Sequence, residues 1–368
     1  MTSGRSGGWT STEVAQALRV TIGDLLGPAL LARVDEHNDE VAAVRDALMA
    51  PRQLSRVLYG QSADPPAAWQ ATAASLIEGG WADYQAGRVG TVLAKLPGLI
   101  HAAQHMERAS AGQSAGIRRR CLAASARAHH LATTSLVRIG QVDLAWIAAE
   151  RTMQAADRSD DPLVLASAAR AGTHALLAVG RYDDALDLGT TAAQWLRPQL
   201  AGNDPAALSL FGMLHLRTAV AAGLRQDRQT SSGALLQATQ AARRLGRDAN
   251  YWQTGFGPTN VEFHRTSVAL ELGDVAYASE HGQHISAEHM PPERRVSLLI
   301  DVARALSFCA RDEQALPRLL EAEQLAPQLV HHSPVVRNTV LDLHRRARVS
   351  AGRSTVLFGL AQRCGAMQ

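Results

Sequence analysis

Residues 163–195 read LVLASAARAGTHALLAVGRYDDALDLGTTAAQW, and this stretch decides the fold. Over residues 163–179 the apolar side chains recur at intervals of three and four positions, and this 3.6-residue period predicts an amphipathic helix. The same period continues from Tyr182 to Trp195 and predicts a second helix. Gly180 lies between them and predicts a helix C-cap in the left-handed conformation, which glycine adopts without strain. The stretch therefore predicts two consecutive helices joined by a tight turn.

The same turn recurs along the chain. It is found at Gly87, Gly140, Gly180 and Gly273, and in a glycine-free form at Ala310. If a degenerate turn near residues 225–228 is counted, the turns are about 37 to 53 residues apart. This period is longer and less regular than the 34 residues of the tetratricopeptide repeat. Since no run of alternating Val, Ile or Thr predicts a strand, the sequence predicts an all-α fold, a right-handed α-solenoid of antiparallel helix pairs that is tetratricopeptide-like.

Composition narrows the classes of partner. Hydrophobic residues make up 46% of the chain and aromatic residues only 4%, which predicts a core built mostly of alanine and leucine. The net charge is +3, and the arginine runs at 118–120, 243–244 and 345–346 lie far apart. They do not form the clustered basic stripe that a nucleic acid requires. No apolar signal region and no uncharged run of 18 apolar residues is found, so we expect a cytoplasmic protein with no membrane partner.

Histidine spacing raises the question of a metal. His101 and His105 are four residues apart and share a helix face, but Ala102 stands where the HExxH motif requires glutamate. Three further histidines cluster before a proline pair, at His281, His284 and His289. No thiol accompanies either group, so we expect solvated surface histidines, no metal and no cofactor. The sequence also has no P-loop and no dinucleotide-binding glycine motif, and we expect no catalytic residue.

The long joint at residues 246–260 holds the best ligand-site candidates. Tyr251, Trp252 and Phe256 are three of only sixteen aromatic residues, and they fall within six positions. The polar residues Asn260, His264 and Arg265 follow on the next helix, where Asn260 and His264 share a face. We predict that these six residues bind a ligand. The alternative interpretation is that the aromatic side chains fill a gap in an irregular repeat and that Asn260 only caps the helix.

The turn before that helix can be interpreted from its residue types. The tetrapeptide at 255–258 reads GFGP, which predicts a rigid turn that leads into a helix. Thr259 is a candidate for the N-cap position, and Pro258 suits the first helical turn.

The same region resembles a known family. Residues 245–274 read LGRDANYWQTGFGPTNVEFHRTSVALELGD, which resembles the tetratricopeptide portion of actinobacterial transcriptional regulators with an XRE-type helix-turn-helix domain. The segments 293–305, 321–327 and 331–348 resemble the same family, and the resemblance covers most of residues 65–368. It implies a role in regulation, while the ligands of such regulators are mostly unknown.

The N-terminal residues depart from the family pattern. Residues 12–27, TEVAQALRVTIGDLLG, resemble only the last part of the helix-turn-helix domain, and the helices that read DNA would precede them. We therefore predict a remnant of that domain with linker helices over residues 1–60 and the solenoid over residues 61–368. The apolar segment at 25–34 is a candidate for a solenoid cap or a homodimer contact.

These observations predict a regulatory sensor or interaction protein. A peptide, a small molecule or a protein partner would bind in the solenoid groove, and we expect no direct DNA binding by the chain as given. Two alternatives remain open at this point. One is a DNA-binding transcriptional regulator with an upstream start, and the other is a pathway enzyme on the same scaffold that uses His264 or a histidine cluster as acid or base.

Overall fold

The computed structural model describes residues 38–50, 68–110, 112–349 and 355–367. Within these ranges the chain is all-α: it has sixteen α-helices, two short 3₁₀ turns and no strand. The all-α prediction is therefore confirmed. Residues 43–368 group into one compact unit. The predicted helix-turn-helix remnant at 12–27, the segment at 25–34 and the predicted boundary after residue 60 lie outside the described residues.

The helices follow one another with short connections. Their bounds are α1 (Asn38–Leu48), α2 (Ala68–Gln85), α3 (Val89–Ala109), α4 (Ala115–Arg138), α5 (Val142–Asp157), α6 (Pro162–Ala178), α7 (Tyr182–Leu196), α8 (Pro205–Leu224), α9 (Arg228–Leu245), α10 (Pro258–Glu271), α11 (Val275–Gln283), α12 (Pro292–Phe308), α13 (Asp312–Leu325), α14 (Pro327–His331), α15 (Pro334–Val349) and α16 (Thr355–Arg363). The two helices predicted from residues 163–195 are present as α6 and α7, each within one residue of its predicted ends.

The predicted turns have the predicted backbone conformation. The four turn glycines have φ between 75° and 81°, in the left-handed region that a Cβ disfavours. The glycine-free turn has φ 55° at Ala310, and the degenerate turn has φ 61° at Gln226. Each turn ends one helix and starts the next within a few residues. The recurring turn is thus confirmed as the element that divides the chain into helices.

Each even-numbered helix from α2 to α10 contacts the next even-numbered helix, and together these helices close a ring. In sequence order α2, α4, α6, α8, α10 and α12 contact each other, and α12 contacts α2 again. We call these six helices the inner ring. The odd-numbered helices from α3 to α11 each pack against the two ring helices that flank them in the sequence, and α13 packs against α12. A hydrogen bond from the backbone of Gly90 on α3 to Gln328 on α14 adds a second link between the early and late helices.

The helix α8 lies in the apolar core. Most of its residues are buried, and one apolar cluster includes four of its leucines, the alanines of α9 and Phe256. This cluster is mostly alanine and leucine, as the composition predicts. Among the described helices, α8 is the one that has the length and hydropathy of a membrane span, and 78% of its apolar window is buried inside the protein. That burial is also what a central core helix shows.

Candidate functional site

The inner faces of the ring helices carry a cluster of charged and polar side chains, and each of the six helices contributes at least one. We call it the interior polar cluster, and its members are Tyr84, His130, Arg138, Arg170, His174, Arg217, His264, Glu293 and Arg294. Arg217 on α8 interacts electrostatically with Arg138 on α4 and Arg294 on α12, neither of which neighbours α8 in the ring. The cluster therefore spans the interior of the ring.

Glu293 joins the first and last helices of the ring. Its Oε1 accepts a hydrogen bond from Arg138 Nη2 at 2.5 Å and one from the Tyr84 hydroxyl at 3.3 Å. Arg138 Nη2 also donates to Ser297 at 2.9 Å. Glu293 is only 2% exposed, so these bonds replace the water that a carboxylate would otherwise hold. The closure of the ring thus depends on a buried ion pair as well as on apolar packing.

Arg170 on α6 connects the cluster to the loop at residues 249–257. It is 5% exposed, and its guanidinium donates to the backbone oxygen of Trp252 at 3.2 Å and to that of Gln253 at 3.5 Å. The same guanidinium lies 3.4 Å from His130 Nε2, and His130 Nδ1 lies 3.0 Å from the Ser167 hydroxyl. Arg170, on a helix of the inner ring, therefore holds the loop at 249–257 in place through two of its backbone oxygens.

The loop at 249–257 is also fastened to α2 and α4. Asn250 and Gln85 exchange two amide hydrogen bonds of 2.9 Å. Arg127 donates to Gln253 at 3.0 Å and lies over the Trp252 ring, 5.3 Å from its centroid. Trp252 and Gln253 have φ of 54° and 50°, a strained conformation for residues other than glycine. The surrounding bonds hold a backbone that would not adopt this shape alone.

The six residues predicted to bind a ligand divide into three groups. His264 belongs to the interior polar cluster, and Asn260 lies beside it, with its backbone oxygen 2.9 Å from His264 Nδ1. Tyr251 and Trp252 lie in the loop, partly exposed. Phe256 is fully buried in the apolar core, as the gap-filling interpretation predicts. Arg265 does not join the others, because it pairs with Glu262 at 3.2 Å.

The start of α10 corrects one prediction and confirms another. Thr259 is not the N-cap, because Gly257 occupies that position and Pro258 takes the first helical turn. Asn260 does not cap the helix either; its Nδ2 donates to the Thr254 oxygen at 3.2 Å from inside the first turn. The cap is supplied from a distance, since the Asp248 carboxylate accepts hydrogen bonds from the Thr259 N–H at 3.0 Å and from its hydroxyl at 2.7 Å.

Burial determines the charge of the histidines in the interior polar cluster. His130 and His264 are buried, and burial together with nearby arginines lowers the pKa of His130 well below its usual value and that of His264 to about 3. His174 shows the same lowered pKa for the same reasons. These three imidazoles are therefore neutral at pH 7. Sequence periodicity could not show this, because the side of a helix that faces the ring is defined by distant parts of the chain.

The charge of the cluster is strongly unbalanced. Burial alone would raise the pKa of Glu293, but the charges of Arg294 and Arg138 outweigh it and bring the pKa to about 2. Burial lowers the pKa of Arg170 to about 9 and that of Arg217 to about 10, so both remain protonated at pH 7. Four guanidinium groups thus face one carboxylate. No local sequence pattern identifies these arginines as a group, although Arg170 stands out as a charge within an apolar helix pattern.

Several polar atoms of this interior have no hydrogen-bond partner among the described residues. They are Arg170 Nε, Arg217 Nε, Arg294 Nε, Trp81 Nε1 and Asn260 Oδ1. Arg294 Nε does lie 3.4 Å from Glu293 Oε2 as an ion pair. Buried polar groups in native proteins are nearly always hydrogen-bonded, so these four donors and one acceptor have the capacity to bond a further polar group.

Other kinds of site find less support in the described residues. No group of three or more His, Cys, Asp or Glu in that part of the chain has the arrangement of a metal site. The segment at 112–116, GQSAG, matches the GxSxG pattern of the nucleophile elbow. A nucleophile elbow lies between a strand and a helix, whereas Ser114 is an exposed residue at the start of α4, between two helices.

Comparison with known proteins adds no identification. No protein-family model matches the chain, and no curated protein matches it in sequence. The resemblance to helix-turn-helix regulators therefore stays a prediction, and any functional conclusion depends on the geometry described above.

Acidification is expected to destabilise the protein, because a buried neutral histidine takes up a proton when the chain unfolds. The pKa of His264 is about 3 in the folded protein, against 6.5 for a histidine in an unfolded chain. Between these values the unfolded state binds more protons, so His264 makes the free energy of unfolding fall by about 1.4 kcal/mol per pH unit as pH falls. We expect His264→Gln to show a flatter dependence of Tm on pH below 6.5. Equal slopes for the two proteins would contradict the buried, neutral state of His264.

Proposed function

We propose that this chain is a regulatory sensor that binds a small ligand inside the inner ring. We also propose that its fold is a right-handed α-solenoid of antiparallel helix pairs, of the tetratricopeptide type. The recurring turns and the regular contacts between alternate helices support this architecture. In such a solenoid the first helix of each pair lines the concave side. The inner ring corresponds to those first helices, so the interior polar cluster is the concave surface.

The observation that carries the proposal is the set of unpartnered polar atoms in the interior polar cluster. A structural core would pair these atoms or replace them with apolar groups, because each unpaired buried donor costs about 1–3 kcal/mol. Convergent polar groups in a concave interior are typical of ligand sites. Since α12 closes back on α2 and the loop at 249–257 is fastened across α2, α4 and α6, a small molecule fits this interior better than a folded protein partner.

The loop at 249–257 is the element that would report the bound ligand. Arg170 donates to two of its backbone oxygens, and its Nε remains without a partner. A ligand that binds this guanidinium changes its position, and therefore the bonds that hold Trp252 and Gln253 in a strained conformation. Binding inside the ring would thus alter the surface where Tyr251 and Trp252 are partly exposed. This is the sequence of events that we propose for sensing.

Thermal unfolding of the purified protein against pools of metabolites tests the proposal. A ligand present at 100 times its Kd stabilises the folded state by about 2.7 kcal/mol, which is a clear rise in Tm. We expect at least one pool to raise Tm in the wild type and to have no effect on Arg217→Met. Arg118→Met changes an exposed arginine on α4, another helix of the inner ring. It is the matched control and should respond like the wild type. Stabilisation that survives Arg217→Met would place the ligand elsewhere.

A further inference from the structure

We infer that the ligand of the inner ring is a compact oxyanion with at least two negative charges, and that Arg170, Arg217 and Arg294 bind it. This inference rests on the proposed function and specifies the chemical class of the ligand. Phosphoryl compounds and polycarboxylates share the chemistry in question, which is a cluster of negatively charged oxygen atoms.

The interior polar cluster contains positive charge that no carboxylate within it compensates. Arginine keeps its proton in proteins, so the four guanidinium groups of the interior polar cluster are all positive. Glu293 offsets one of them through its short bond to Arg138. Among the described residues no carboxylate forms an ion pair with Arg170 or Arg217, and the charge of Arg294 acts unfavourably on both. Buried charges are normally paired, and a bound anion would supply the missing partner.

The three arginines come from three different helices of the inner ring. Arg170 lies on α6, Arg217 on α8 and Arg294 on α12, and each has an Nε with no hydrogen-bond partner in the described structure. A guanidinium group binds an oxyanion by two parallel N–H bonds, often through Nε and one Nη. In Arg294 the Nη2 atom donates to the Thr254 oxygen, and in Arg170 Nη2 and Nη1 donate to the oxygens of Trp252 and Gln253. The Nε atom is therefore the donor that each of these two arginines keeps for a ligand.

Three side chains of the interior polar cluster remain accessible to solvent. Arg138 belongs to the same cluster and keeps 25% of its side-chain surface accessible to water. Arg217 and His174 are also only partly buried, although both belong to helices that surround the interior. The neutral state of the three histidines leaves the arginines as the source of positive potential. A small anion that binds among these arginines would thus be stabilised by its charge more than by apolar contacts.

The experiment compares anions at equal ionic strength. The full-length protein, dialysed at low ionic strength, is titrated with sodium phosphate, sodium citrate or sodium chloride while Tm is recorded. We expect phosphate or citrate to raise Tm in a saturable way and chloride to have no comparable effect. Phosphate without citrate would indicate a phosphoryl ligand, and citrate without phosphate a polycarboxylate. Equal effects of all three salts at matched ionic strength would overturn the inference.

Two variants make the test specific. Arg217→Met should weaken the binding of the effective anion at least tenfold, while Arg118→Met should leave it unchanged. Without added anion, Arg217→Met should be at least as stable as the wild type, because it removes a positive charge from a positively charged interior. An anion response that persists in Arg217→Met, or a large loss of stability in that variant without anion, would overturn the inference.

The outcomes also separate this inference from the proposed function. Suppose that a neutral metabolite raises Tm in an Arg217-dependent way and that phosphate and citrate have no effect. That result would overturn the inference of an oxyanion ligand and would still support the proposed sensor function. Saturable, Arg217-dependent anion binding supports the inference, and its effect on the loop is then read from the fluorescence difference between wild type and Trp252→Phe. If the anion does not change this fluorescence difference, the anion site is still supported, but the proposal that the loop reports binding is overturned.

Discussion

Glu293→Gln is expected to lower the free energy of unfolding by about 3–5 kcal/mol, the usual cost of removing one partner from a buried ion pair. Glu293 is the one carboxylate of the interior polar cluster, and its Oε1 is bonded to both Arg138 and Tyr84. The neutral amide keeps the shape of the side chain, but it leaves the four positive charges of the interior polar cluster with no negative charge among them. The loss therefore measures the electrostatic part of the closure between α12, α2 and α4.

Urea denaturation of the wild type and the variant gives this difference. Glu313→Gln, which changes an exposed glutamate in the first turn of α13, is the matched control and should cost less than about 1 kcal/mol. If the cause is unpaired charge, the double variant Glu293→Gln with Arg138→Met should recover part of the loss, since it removes the stranded cation as well. A loss near that of the control would show that the ring does not depend on this ion pair.

Local sequence rules account for a large part of the fold. The turn at Gly180 and the helices beside it depend on a few adjacent residues, and the structure has them within one residue of the predicted ends. The turn at Ala310 was also predictable, because the sequence after it repeats the pattern seen after the glycine turns. Interactions between neighbours in the sequence determine these features, which is why periodicity and capping residues are sufficient.

The interior polar cluster was not predictable in the same way. Tyr84 and Glu293, which share a hydrogen bond, are 209 residues apart in the sequence. Arg170 and His130 look like isolated polar residues in apolar helices until the ring closes and brings them to within 3.4 Å of each other. These residues come together through contacts between distant parts of the sequence, and no local sequence pattern predicts such contacts. Only His264 was selected from the sequence, because it follows the unusual loop.

The second large effect is expected at Gly212, in the middle of α8. A Cβ at this position would lie 1.9 Å from Phe256 Cζ and 2.2 Å from its Cε2, well inside contact distance. The ring of Phe256 is fully buried, so it cannot swing into solvent without losing its packing. We expect Gly212→Ala to cost about 3–5 kcal/mol, the range for loss of a buried phenylalanine, although alanine favours helices over glycine.

The pair of Gly212 and Phe256 also tests how the loop is anchored. Phe256 belongs to the loop at 249–257, so its contact with α8 fixes the end of the loop that precedes α10. Phe256→Leu shortens the side chain, and the double variant should be more stable than Gly212→Ala alone because the clash is relieved. Gly233→Ala, at an open position on α9, is the control and should stabilise by about 0.5–1 kcal/mol. If Gly212→Ala behaved like this control, the ring of Phe256 would not lie on α8, and the loop could not carry a signal from the ring to the surface.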